Sequence, residues 1–229
     1  METLTQPPGS LYDFGPSADE YESWYSTPEG QEHDLFQQKD LVELLGDRLH
    51  HGRLLDVGCG NGHWSRFFRL LGYEVQGVDI SESMLRVAKA TVPECTFDLA
   101  DACALPFQDA SFDIVASMAV LEFIATPALA VREMIRCIKP GGSLIIGTLN
   151  RLASLNRERL SRGEEPYTSG HLFSPEAVWD LLSPWGKPRM IVSSGMGHST
   201  SRRSMSISDR PIGSMNLLDG PFMIVEVRR

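Results

Sequence analysis

Two rhythms of apolar residues alternate along the middle of the chain. Short, nearly continuous apolar runs, RLLDVG at 53–58, EVQGVD at 74–79, TFDLAD at 96–101, SFDIVASM at 111–118 and GSLIIGTL at 142–149, read as strands covered on both faces. Between them, apolar residues recur at steps of three and four. Trp64, Phe67, Phe68 and Leu71 share one face of a helix that Gly72 ends. Met84, Leu85 and Ala88 follow Ser81, a natural N-cap. Ala130, Met134 and Ile138 line a helix over 127–138, closed by KPGG, and Leu41, Leu44, Leu45 and Leu49 line an earlier one over 35–49. Strand, helix, strand, helix predicts an α/β doubly wound, mostly parallel sheet with helices on both faces.

The rhythm changes after Asn150. Residues 151–173 are polar and irregular and read as an insertion on the substrate side. A helix over 174–186 has a Ser cap, Pro at its first position and Glu just inside. RMIVSS at 189–194 is a sixth strand and FMIVEV at 222–227 a seventh. No helix separates these two, so the last strand is expected to run antiparallel. Residues 195–219, rich in Gly, Ser and Met, are expected to form a long flexible loop. Residues 1–34 set Tyr12, Phe14, Tyr21, Trp24 and Tyr25 among Pro, Gly and Ser. Disordered tails usually lack aromatics, so this segment is expected to dock as a lid on a single domain spanning 35–229.

Composition narrows the function classes. The chain has 229 residues, enough for one sizeable core, with 42% apolar residues and a net charge of −9. Such an acidic chain is a poor binder of phosphate backbones, so no nucleic-acid partner is expected. The first residues carry no basic start or apolar stretch, and no run reaches bilayer length; a cytoplasmic monomer or homodimer is the expectation. Cys59, Cys95, Cys103 and Cys137 show no C-x-x-C spacing and no His at a ligand-like offset. They read as reduced thiols, with no metal expected.

The chemistry concentrates in LLDVGCGNGHW at 54–64. Gly58, Gly60 and Gly62 permit a tight turn and close backbone approach to a ligand. The next helix offers unpaired N–H groups. Dinucleotides use such a turn as G-x-G-x-x-G, but here His63 stands where the third glycine belongs. Asp56, two residues before Gly58, suits a ligand bearing an ammonium and a sulfonium better than a pyrophosphate. Asp79 ends the second strand, 79 − 56 = 23 positions on, where an acid accepts from ribose hydroxyls. Asp101 follows the third strand, where it can accept from an adenine amino group while the Ala102 N–H donates to the ring.

LLDVGCGNG, VQGVDISESML, ADACALPFQDASFDIVASMAVLEFI and REMIRCIKPGGSLIIGTLN together resemble the class I S-adenosylmethionine-dependent methyltransferases, near the ubiquinone/menaquinone C-methyltransferase group. The resemblance covers about residues 50–150. It implies a seven-stranded Rossmann-like sheet with its last strand antiparallel. It implies S-adenosylmethionine as cofactor, S-adenosylhomocysteine as product and a small-molecule methyl acceptor. Position by position, Asp56, Gly58, Cys59 and Gly60 would surround the methionine part. Asp79 would hold the ribose, and Ile80 and Met84 would lie against the adenine. Asp101 and Ala102 would read the adenine edge, and Met118 would pack near the methionine part. Tyr21 and Tyr25 would close over the cofactor. Members of the family often carry His where Glu122 and Phe123 stand here, which puts a catalytic histidine at that place in doubt.

Methyl transfer releases a neutral thioether, so a base is needed only if the acceptor must lose a proton. Glu122 after the fourth strand, expected to face the cleft, and His171 and Tyr167 after the fifth are the candidates; His63 beside the glycine turn is a further polar neighbour. The other readings are an NAD-dependent oxidoreductase, a methyltransferase-like protein that binds the cofactor without turnover, and a methyltransferase acting on a macromolecule.

Overall fold

The computed structural model describes residues 9–46, 52–193, 205–208 and 219–229. Five strands pair in parallel: β1 (Arg53–Val57), β2 (Glu74–Asp79), β3 (Thr96–Leu99), β4 (Phe112–Met118) and β5 (Ile138–Leu149). Their order in the sheet is β3-β2-β1-β4-β5. Beyond them lie β6 (Arg189–Val192), β7 (Met205–Ile207) and β8 (Phe222–Arg228). β8 runs antiparallel between β5 and β6, as the missing crossover helix required. The seven expected strands are all present. The eighth, β7, pairs antiparallel with β6 at the sheet edge, inside a stretch read from sequence as loop. The remainder of 195–219 lies almost wholly outside the described residues.

Seven helices accompany the sheet among the described residues: α1 (Tyr21–Tyr25), α2 (Pro28–Leu45), α3 (His63–Leu70), α4 (Glu82–Thr91), α5 (Pro127–Cys137), α6 (Ser154–Ser161) and α7 (Pro175–Leu182). Successive strand residues point to opposite faces. Accordingly Leu54, Ile114, Ile145 and Ile224 join α2, α3 and α4 in one buried cluster. Leu55, Val115, Leu144, Ile146 and Val225 join α5 and α7 in the other. Neighbouring residues such as Leu54 and Leu55 therefore serve different layers.

Two helices depart from the sequence reading. α2 begins at Pro28 rather than near residue 35, and ends at Leu45. Thr27 Oγ1 caps it by accepting from Gly30 N at 3.0 Å, and Pro28 suits the first position. Its buried face carries His33, Leu41, Leu44 and Leu45, whereas Leu35 is 66% exposed. α6 forms inside the polar stretch 151–173. Its buried residue, Asn156, donates from Nδ2 to the carbonyls of Asn150 and Pro221 and so ties the helix to the approach of β8.

Candidate functional site

A cleft opens over the carboxyl ends of β1, β2, β3 and β4, where open α/β sheets bind ligands. Its floor is the turn between β1 and α3. Gly58 N and Cys59 N both donate to Val78 O, at 2.7 and 3.0 Å, which pins the turn to the end of β2. Gly58 has φ +75°, and a Cβ there would lie 2.4 Å from Val120, so only glycine fits. Gly60 has φ +52° and nothing within 4 Å of where a Cβ would stand. That bare backbone faces the cleft and is open to a ligand.

The three acids hold different positions. Asp79 lines the cleft. Its Oδ2 accepts from Gly60 N at 2.8 Å and its Oδ1 from Ser81 N at 2.9 Å. A carboxylate has about four lone pairs, so each oxygen keeps one for a ligand while shaping the turn. Burial raises the Asp79 pKa, and the backbone N–H groups of Ser81, Gly60 and Ile80 work against that rise. Asp101 also lines the cleft, and its Oδ1 accepts from Cys103 N at 2.8 Å. Asp56 does not reach the cleft surface. It is 1% exposed behind the turn, and its Oδ2 accepts from Ser65 Oγ at 2.6 Å. Burial pushes its pKa up to about 7, Asp79 adds to the rise, and the Ser65 hydrogen bond opposes it.

The other cofactor positions read from sequence, Tyr21, Tyr25, Gly58, Cys59, Gly60, Ile80, Met84, Ala102 and Met118, all line the same cleft. Cys59 is a buried thiol, and burial raises its pKa well above the ordinary value. The cleft also takes in Tyr12, Phe14, Asn61 and Trp64, which the sequence reading did not assign to the cofactor. Asn61 and Trp64 flank the last glycine of the motif. Tyr12 and Phe14 had only their aromatic character to mark them.

The N-terminal segment roofs this cleft. Phe14 packs edge-on against Phe123 and Tyr21, with ring centroids 5.0 and 6.1 Å apart. Tyr25 stacks on His63 at 3.6 Å with planes 10° apart. His63 Nε2 lies 2.8 Å from Asp34 Oδ1 on α2. Glu22 on α1 accepts from Asn61 Nδ2 at 2.7 Å and lies 3.5 Å from Arg66. Thus the roof is latched to the glycine turn and to α3. His63 serves this latch.

The proposed bases separate. Glu122 does not face the cleft as the sequence suggested. Its side chain is fully buried and lines neither this cleft nor the cavity beside it. Its carboxylate accepts from Thr148 Oγ1 at 3.0 Å and Leu149 N at 3.2 Å, so it clamps the end of β5. Burial pushes its pKa up to about 7. The His171 side chain is exposed and outside both spaces, while its backbone N donates to Glu122 O at 2.7 Å. Tyr167 lines the second cavity and lies under the Arg159 guanidinium, 4.7 Å from its ring centroid. Among the described residues, no group of three or more His, Cys, Asp or Glu is placed to hold a metal ion. No described helix is long and apolar enough to cross a membrane.

The donor set fits S-adenosylmethionine. Asp79 has spare lone pairs beside a bare glycine backbone, Asp101 has a second oxygen at the far end of the cleft, and aromatic rings cover the middle. Residues 55–146 match the family model described as a methyltransferase domain. The chain is 33% identical to malonyl-[acyl-carrier protein] O-methyltransferase of Enterobacter lignolyticus over 163 residues, covering 69% of this chain and 64% of that protein. It is 42% identical to demethylmenaquinone methyltransferase of Renibacterium salmoninarum over 94 residues, 41% of this chain and 40% of that one. The chain therefore spans about two thirds or less of these curated relatives. Among solved structures, a Thermotoga maritima protein described as an S-adenosylmethionine-dependent methyltransferase, possible histamine N-methyltransferase, superposes with a TM-score of 0.73 at 25% identity. That match covers 94% of this chain and 97% of the other. In motif, topology and these matches alike, the chain is similar to the class I S-adenosylmethionine-dependent methyltransferases.

Proposed function

We propose that the chain transfers a methyl group from S-adenosylmethionine to a small-molecule acceptor. The observation that carries this reading is the open backbone at Gly60 held by Asp79, whose carboxylate faces the same cleft as Asp101. When bound, S-adenosylmethionine supplies an electrophilic methyl group whose leaving group is a neutral thioether. The chain's own work is then to bind, orient and exclude water. Asp79 accepts from the ribose hydroxyls with the lone pairs its backbone partners leave. Asp101 and the Ala102 N–H read the adenine edge, with Ile80 and Met84 against the ring. Asp56, one layer behind the turn, carries negative charge toward the ammonium once that bound cation favours its ionised form. Tyr12, Phe14, Tyr21 and Tyr25 keep water from the reacting centre. Orientation of this kind is worth roughly 7–11 kcal/mol of barrier. The expected setting is a cytoplasmic enzyme that needs no metal.

The test is a screen with label in the cofactor's methyl group against a metabolite extract, followed by mass identification of the product. Labelled product from the wild-type chain and none from Asp79→Ala supports the proposal. Tight binding of S-adenosylmethionine with no labelled product from any fraction would leave only the reading without turnover.

A further inference from the structure

A second cavity, of about 440 Å³, lies beyond the aromatic wall of the cofactor cleft. Tyr21, Tyr25 and Trp64 face both spaces. This volume falls in the range of about 300–1,000 Å³ usual for small-molecule sites. His33, 7% exposed on the buried face of α2, is among the residues lining the cavity. Its Nε2 has no hydrogen-bond partner among the described residues. Glu29 Oε1, one turn earlier, is 4.0 Å away, too far to bond. The Trp24 ring is tilted beside it at 5.9 Å. Burial lowers the His33 pKa, the Arg159 charge lowers it further, and Glu29 works the other way. The imidazole is therefore neutral near pH 7, with one N–H and one lone pair. Buried polar atoms are nearly always paired; this one is unpaired, and it belongs to a ring that lines the cavity.

We propose, building on the methyltransferase reading, that this second cavity is the methyl-acceptor site and that His33 Nε2 binds a hydroxyl of a small aromatic acceptor of the phenol type. A hydroxyl both donates and accepts, so it suits His33 in either tautomer. Rings such as Trp24, Tyr25, Tyr167 and Phe222 around the cavity favour a flat apolar body. The charges around it do not invite a carboxylate or phosphate. Arg159, the cation among the described lining residues, is 3.4 Å from Glu29 and stacks over Tyr167. Glu165, also lining, accepts from Thr168 Oγ1 and Ser169 N. His33 is thus a specificity residue at the acceptor rather than part of cofactor binding.

The experiment uses the full chain with ring-labelled histidine, loaded with S-adenosylhomocysteine and titrated with p-cresol or with toluene. The expected result is a p-cresol-dependent shift of the His33 ring resonance, and at least tenfold weaker binding of toluene. His33→Phe should weaken p-cresol at least tenfold and toluene little, with S-adenosylhomocysteine affinity within twofold of wild type. His33→Gln should recover part of the loss. A His33 resonance unmoved at saturating p-cresol, no p-cresol binding to the loaded chain, or unchanged p-cresol affinity in His33→Phe would overturn the inference and leave the methyltransferase reading standing. Failure of S-adenosylhomocysteine to bind at all would overturn both. The wild-type resonance decides the matter even if the variants do not fold.

Discussion

Asp79 does two jobs with one carboxylate. It fixes the glycine turn through Gly60 N and Ser81 N, and in the proposed reading it presents its remaining lone pairs to a ribose. A hydrogen bond to a charged group contributes about 1.5–3 kcal/mol, or about tenfold or more in affinity. Asp79→Ala is expected to weaken S-adenosylhomocysteine at least a hundredfold by calorimetry, since two such bonds go; near-normal affinity would contradict the assignment. Asp56 works from behind the turn, and its cost depends on pH. Its folded pKa, about 7, lies above the ordinary carboxylate value. The folded chain therefore holds that proton where the unfolded chain has lost it. Stability falls as pH rises from about 4 to 7, by up to about 1.36 kcal/mol per pH unit from this group. Asp56→Asn, which still offers Ser65 an acceptor, removes that dependence. Urea melts of the ligand-free chains should show the variant gaining on wild type from pH 5 to pH 7; a constant difference would refute the buried-charge account. The acids themselves were legible because each follows an apolar run. The inward turn of Glu122 and the burial of Asp56 were not, because they depend on Thr148, Leu149 and Ser65, which are distant along the chain.

At the scale of elements, the roof built on α1 covers the cleft. We read it as a lid, held by the Tyr25–His63 stack and by Glu22 on the glycine turn. An aromatic pair of this kind is worth about 0.5–1.5 kcal/mol, so Tyr25→Ala should speed S-adenosylhomocysteine release by about two- to tenfold in stopped flow. An unchanged rate would mean a fixed cover rather than a lid. The elements differ in how plainly the sequence announces them. α3 and α5 carry apolar stripes and were readable. α6, SLNRERLS, lacks such a stripe and is held by Asn156, a polar residue whose partners lie at Asn150 and Pro221. α2 announces its start by Thr27 and Pro28, but its repeat of leucines comes later, and Leu35 points to solvent. His33 gave no signal of its own on a polar stretch of that helix; only the fold turns it toward Trp24 and Arg159.

At the scale of the whole molecule, the alternation along each strand splits one sequence into two buried layers, and the sheet order brings four strand ends to one rim. That much follows from pattern, because period-two burial and the crossover rule leave few arrangements. The added edge strand β7 does not, since three residues carry too little pattern to stand out. The cofactor should stabilise the assembled domain as a unit. At a hundredfold excess over Kd, S-adenosylhomocysteine should add about 2.7 kcal/mol, a rise in Tm of about 5–10 °C for a chain this size, while NAD should leave Tm in place. The most direct test of the central claim is a calorimetric titration of S-adenosylmethionine into the wild-type chain and into Asp79→Ala side by side. The account predicts one site per chain in the wild type and its loss in the variant. Binding of equal strength in both, or binding of NAD in its place, would contradict it.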